Sequence, residues 1–126
     1  MKILIITAFP PNENTAGQDY TRRMIYELLN KNVMVDLIYA EYKNHTITLP
    51  SNIKILKQIK PSIFNCLNLL TFHPFFTRRF KKNIVNYINN IASNYDVIYF
   101  DFSQVHIYSL YIKHPKKYFM CHDIIL

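Results

Sequence analysis

"KILIITAFPPNENTAGQDYTRRMIYELLNKNVMVDLIYA", residues 2–40, decides the fold. It opens on KILIITAF, a continuous apolar run rich in β-branched residues. A run without alternation is what a strand buried on both faces of a parallel sheet requires. A periodic segment follows from about Thr15. Tyr20, Met24 and Leu28 recur at i, i+4 and i+8 with Ile25 and Leu29 beside them, and Arg22, Arg23 and Glu27 lie opposite. That spacing predicts an amphipathic helix. Thr15 and Gln18 have the T-x-x-Q spacing of a capping box at its start. Its end falls near Asn30 to Asn32, where Asn can take the left-handed cap conformation in the absence of glycine. NVMVDLIYA (32–40) is then a second buried strand. Strand, helix and strand in this order make a βαβ unit, right-handed by rule.

The rest of the chain continues the alternation. YKNHTITLPSN is polar and loop-like, and NIKILKQI (52–59) sets Ile53 and Ile55 between lysines, as an edge strand does to discourage further pairing. Residues 61–72 are expected to be helical with Ser62 as cap. A second helix is expected from about Thr77 to Ser93 on an apolar face of Phe80, Ile84, Ile88 and Ile91. YDVIYFDFS (95–103) reads as the fourth strand, QVHIYSLYI (104–112) as a short helix, and KKYFMCHDIIL (116–126) as a fifth strand ending near His122. The fold class is α/β: an open, mostly parallel, Rossmann-like sheet with helices on both faces. No helix for the far side of strand five follows in the sequence. Residues 1–126 therefore read as an incomplete N-terminal domain.

Composition bounds the function. Half of the residues, 50%, are hydrophobic, which excludes a disordered tail. No apolar run reaches the ~18 residues that cross a bilayer. MKILIITAF runs into Pro10-Pro11 with no small-residue cleavage site after it, so a cytoplasmic protein is expected. The 2 cysteines, Cys66 and Cys121, have no disulfide or metal spacing. Fifteen Lys plus Arg against 8 Asp plus Glu give a net charge of +7, which favours polyanionic partners: nucleic acid, phosphorylated small molecules or an anionic membrane.

In an open α/β sheet, ligands sit beyond the carboxyl ends of the strands. Residues 8–18, 101–104 and 122–126 occupy that rim. The chain has 1 glycine, Gly17, and it lies there, at the start of a helix. Lacking a Cβ, Gly17 either admits a ligand to the backbone and to the helix N-terminal N–H groups, or eases helix–strand packing. His122 either contacts a sugar or phosphate hydroxyl or moves a proton, or is a strand-end histidine satisfied by a carbonyl. Asp123 adjoins it. Asp101 is a second candidate substrate contact, with loop capping as the alternative. The 5 histidines show no metal-ligand spacing, and there is no nucleophile elbow, so neither metal nor cofactor is expected. FHPFFTRRFKK (72–82) is either a helix with a solvated basic face or an interfacial patch. As a patch it would set Phe75 and Phe76 into lipid headgroups and Arg78, Arg79, Lys81 and Lys82 against anionic lipid. Lys54, Lys57 and Lys60, with Lys113, Lys116 and Lys117, could extend that basic face. The same composition suits single-stranded nucleic acid, but no RNA-binding signature accompanies it.

MKILIITAFPP, NTAGQDYTRRMIYELLNKN, VMVDLIY, YDVIYFDFSQ and YFMCHDI, in this order and spacing, resemble the N-terminal domain of GT-B glycosyltransferases, in particular family 4-like enzymes. The resemblance spans nearly the whole chain. It implies transfer of a sugar from a nucleotide-sugar donor to a glycan or lipid-linked acceptor in cell-surface polysaccharide synthesis, with retention of configuration and without a metal. In that family two adjacent glycines after strand one line the cleft beside donor phosphates and acceptor. The first is Ala16 here, so only Gly17 carries over. The family's histidine beside the reacting sugar carbon maps onto His122. Residues 72–82 map onto a membrane-docking region of some members. The donor-binding domain, with its pair of spaced glutamates, is not in these residues, so this chain alone is expected to be inactive. Two rival readings are a non-catalytic Rossmann-like binding module and a basic α/β domain that binds anionic membrane or nucleic acid.

Overall fold

A computed structural model describes residues 1–70 and 72–122. Five parallel strands, β1 (Lys2–Thr7), β2 (Met34–Ala40), β3 (Lys54–Ile59), β4 (Val97–Asp101) and β5 (Lys117–Met120), form one sheet in the order β3-β2-β1-β4-β5. This is the open α/β architecture expected from residues 2–40. The lysine-bearing β3 lies at one edge and the short β5 at the other.

β1 is buried on both faces because it is central. Leu4 and Ile6 join one core cluster and Ile3 and Ile5 the other. Fully burying such a side chain is worth about 1.5–3 kcal/mol, and Leu4, Ile5 and Ile6 are each 0% exposed. Helix α1 (Ala16–Asn30) covers the Ile3/Ile5 face through Ile25, Met24, Leu28 and Leu29. The opposite face is covered by α3 (Lys82–Ile91), through Ile84, Val85 and Ile88, and by a 3-10 helix, Ser103–Leu110, through Val105, Ile107 and Tyr108.

α1 begins and ends as expected. Thr15 Oγ1 accepts from the Gln18 N–H, and Asn32 closes the turn with φ of 60°. Its buried face is rotated from the predicted stripe, however. Gln18, Thr21 and Ile25 face inward, and Tyr20 is 48% exposed. Gln18 and Thr21 go inside because they find partners there: Gln18 Nε2 donates to the Pro10 carbonyl at 2.9 Å, and Thr21 Oγ1 donates to Asp101.

The region after β3 departs most from expectation. Residues 61–72 hold only a short 3-10 helix, Ile63–Asn68, although Ser62 caps it through a 3.2 Å bond from the Phe64 N–H. The helix predicted over 77–93 begins only at Lys82, as α3; Thr77 instead ends a separate short helix, α2 (Pro74–Thr77), and residues 78–81 lie between the two. The break follows from burial. Arg79 and Phe80 both turn inward there, whereas one continuous helix would set Arg79 on the face opposite Ile88. The Tyr108 hydroxyl ties the break, accepting from the Lys81 N–H at 2.9 Å and donating to the Arg79 carbonyl.

Candidate functional site

β2 lies on one side of β1 and β4 on the other, so the chain departs in opposite directions from the carboxyl ends of β1 and β4. A crevice opens at such a switch point. The segment after β1 lines it, and it is held down by the loop after β2: Asn12 Nδ2 donates to the Thr46 carbonyl at 2.8 Å, and the Thr48 N–H to the Pro11 carbonyl at 2.8 Å. On the β4 side the chain turns sharply at Phe102, whose φ of 71° and ψ of 140° are unusual for a residue with a side chain. Such a conformation costs on the order of 1–3 kcal/mol and persists only where the surroundings enforce it. Here the Phe102 N–H donates to the Met120 carbonyl at 2.9 Å, and its ring is buried against Phe9 with centroids 4.8 Å apart.

The resulting pocket has a volume of about 530 Å³. The first turn of α1, Thr15 to Gln18, forms one side, Phe9, Tyr42 and Phe102 an aromatic wall, and Tyr20 and His122 the remainder. The turn brings the N-terminal end of a 15-residue helix to the pocket, where a negative group is favoured. The aromatic wall offers flat apolar faces.

His122 is fixed on three sides. Its Nε2 lies 2.6 Å from Asp101 Oδ1, its ring packs on Phe102 with centroids 4.1 Å apart, and it meets the Tyr20 ring edge-on at 5.3 Å. Asp101 has no exposed surface, and its Oδ2 accepts from Thr7 Oγ1 at 3.1 Å and from Thr21 Oγ1. Burial raises the Asp101 pKa; the bonds from Thr21, His122 and Thr7 act against that rise without cancelling it. When Asp101 is ionised it can only accept, so Nε2 carries a proton, and in the neutral ring the lone pair is left on Nδ1. The pair thus holds the neutral imidazole in one tautomer, on a ring that lines the pocket.

The predicted site residues divide. His122 and Gly17 both line the pocket, and a Cβ added at Gly17 would lie 3.7 Å from the His122 ring. The space that the missing Cβ leaves is taken by Phe102, whose Cε1 and Cζ would be 2.9 Å away. Gly17 therefore makes room for a side chain of this protein, the packing alternative, as well as bordering the pocket. Asp101 sits behind His122 and is buried too deeply to touch a ligand directly; it holds the histidine. Asp123 lies outside the described residues. In the basic-aromatic segment Arg78 and Lys82 are exposed, Phe76 is 38% exposed, and Phe75 and Lys81 are half-buried. Arg79 does not belong to that face. It is 9% exposed, donates from Nε to the Ala8 carbonyl at 3.2 Å and lies over the Phe9 ring at 4.9 Å. Lys117 is also turned inward, donating to the Ser109 and Ile112 carbonyls.

Phe9, Tyr20, Tyr42, Phe102, Thr7 and Thr21 were not legible as site residues. Thr7 and Thr21 did carry a signal: each is a hydroxyl where its element wants an aliphatic, at the end of β1 and on the inner face of α1. Among the described residues no group of three or more His, Cys, Asp or Glu side chains is placed to hold a metal ion, and no helix is long and apolar enough to cross a membrane. No protein-family model matches the chain, and no curated protein matches it significantly.

Proposed function

We propose that this chain is the acceptor-side domain of a glycosyltransferase that moves a sugar from a nucleotide-sugar to a glycan or lipid-linked acceptor. The observation that carries this reading is His122, held against buried Asp101 at the strand rim beside the first turn of α1. In it, His122 binds a hydroxyl of the reacting sugar or of the acceptor through Nδ1. The N–H groups of the α1 turn meet phosphate, and Tyr20, Phe9 and Tyr42 cover the apolar faces of a sugar ring. A second, donor-binding domain supplies the nucleotide contacts, because transfer needs both reactants held together. The protein works in the cytoplasm, at the inner face of the membrane that carries the acceptor.

Saturation-transfer NMR on the 126-residue chain, with nucleotide-sugars and free oligosaccharides as probes, tests the reading. Weak sugar binding that disappears in His122→Ala, with no turnover by this chain alone, supports it. No sugar contact with any probe, or contact indifferent to His122→Ala, overturns it.

A further inference from the structure

Four of the five most exposed large apolar side chains among the described residues lie away from the pocket, on the 3-10 helix after β3 and the residues that follow it. Ile63 is 71% exposed, Phe64 75%, Leu67 68% and Leu70 78%. Single exposed apolar residues are ordinary, but a cluster marks an interaction surface. In a 3-10 helix residues i and i+3 eclipse, so Phe64 and Leu67 stand in one row. The helix is fastened at its base: the Ser62 N–H and Asn65 Nδ2 donate to the Arg78 carbonyl at 3.0 and 2.7 Å, and Asn65 Nδ2 also donates to the Lys60 carbonyl at 3.2 Å. These bonds place exposed Lys60 and Arg78 beside the apolar row, and Lys82 shares a shallow depression with Leu69.

The segment that carries this row has charge of one sign only. From Tyr42 to Tyr95 the sequence contains no Asp or Glu, while it contains Lys43, Lys54, Lys57, Lys60, Arg78, Arg79, Lys81 and Lys82. An acidic protein partner would match the cations but would need, in addition, an apolar recess shaped to the protruding row. An anionic bilayer matches both, taking the apolar side chains into the headgroup–acyl boundary while the cations meet lipid phosphate. We propose that Ile63, Phe64, Leu67 and Leu70, with Lys60, Arg78 and Lys82, dock this protein on an anionic lipid surface. The inference rests on the membrane setting of the reading above and gives it a specific surface. Vesicle binding is measured without sugar transfer, so either can fail alone.

Co-sedimentation of the 126-residue chain with vesicles of phosphatidylcholine, and of phosphatidylcholine mixed with phosphatidylglycerol, tests it at low and high salt. The expected result is binding to the mixed vesicles alone, declining as salt rises. Phe64→Ser/Leu67→Ser lowers the affinity at least tenfold with an unchanged thermal melt, since both side chains are already in water. Lys60→Gln/Arg78→Gln/Lys82→Gln lowers it on the order of a hundredfold. Absent binding, equal binding to neutral vesicles, or variants that bind like the parent overturn the proposal. So does a parent dimer that Phe64→Ser/Leu67→Ser converts to monomer, which assigns the surface to a second copy. Binding of single-stranded RNA in place of vesicles overturns it as well.

Discussion

His122 Nε2 lies 2.6 Å from Asp101 Oδ1, although the two residues are 21 positions apart. The parallel pairing of β4 with β5 brings them together. Asp101 is in register with Met120, and His122 follows two residues later, on the same side of the chain.

Burial raises the Asp101 pKa, so between the ordinary carboxyl value near 3.9 and that raised value the folded state holds a proton that the unfolded chain has released. The unfolded state then binds fewer protons, and this group's contribution to stability falls as pH rises through the window. Above it, the buried charge is a standing cost. Asp101→Asn keeps an acceptor for His122 and an amide that the Thr7 and Thr21 hydroxyls can bond. The variant is expected to melt above the parent at pH 7, with the difference closing towards pH 4. Melts at stepped pH on both proteins measure it. A variant that melts lower at pH 7 than the parent means that the three hydrogen bonds to the carboxylate outweigh its burial.

Gly17→Ala sets helix propensity against packing. Alanine gains about 1 kcal/mol over glycine within a helix, but its Cβ would meet the Phe102 ring at 2.9 Å. That ring cannot swing freely, being buried between Phe9 and His122. Overpacking costs typically 1–3 kcal/mol, so a net loss of about 1 kcal/mol is expected. Phe102→Leu in the same chain removes the overlap. Urea unfolding of the four proteins should give a coupling of at least ~0.5 kcal/mol between the two positions. Additive effects would return Gly17 to an open position facing the pocket.

The sheet was readable because its signal is physical and local. KILIITAF and VMVDLIY are apolar at nearly every position, without alternation, and only a strand covered on both faces accepts that. The cap at Thr15 and the left-handed Asn32 follow from the need of helix ends for local hydrogen-bond partners. Residues 61–81 were not readable for the opposite reason: periodicity assumes that apolar residues seek a core, and Ile63, Phe64 and Leu67 do not. Arg79 misled similarly, because charge says surface, whereas a carbonyl at 3.2 Å and the face of Phe9 hold this guanidinium inside. In the pocket, His122 and Gly17 were legible from their place on the rim. The aromatic wall was not, since Phe9, Tyr42 and Phe102 come from three separate loops whose approach depends on strand order.

Arg78 and Arg79 are neighbours in sequence and should separate completely in experiment. Burial lowers the Arg79 pKa, with the charge of Arg78 adding to that effect. Arg79→Ala leaves the Ala8 carbonyl without its side-chain donor and uncovers Phe9, so a loss of about 1–3 kcal/mol in stability is expected. Vesicle binding should change little. Arg78→Ala should do the reverse, with a shift in stability within ~0.5 kcal/mol and weaker binding to anionic vesicles. Chemical denaturation and co-sedimentation on the two single variants decide the matter. Arg79→Ala weakening vesicle binding as much as Arg78→Ala would put Arg79 back on the surface.

Tyr108 decides where the chain breaks between α2 and α3. Its side chain is 0% exposed, and burial raises the pKa of its hydroxyl, so the group stays neutral and both donates and accepts across the accessible pH range. It donates to the Arg79 carbonyl and accepts from the Lys81 N–H at 2.9 Å. Both backbone groups lie in the gap between the helices. Tyr108→Phe keeps the ring packed against Phe80, whose centroid is 5.2 Å away, and removes only the oxygen. Two groups in the gap then lose their partner. Each orphaned buried group costs about 1–3 kcal/mol. A loss of about 2 kcal/mol or more is therefore expected in equilibrium unfolding. Hydrogen exchange locates it: the Lys81 amide should lose protection in the variant while amides of β1 and β2 keep theirs relative to the new global stability. If Tyr108→Phe matches the parent in stability and in exchange at Lys81, then the inward turn of Arg79 and Phe80 alone sets the break, and the hydroxyl contributes nothing to it.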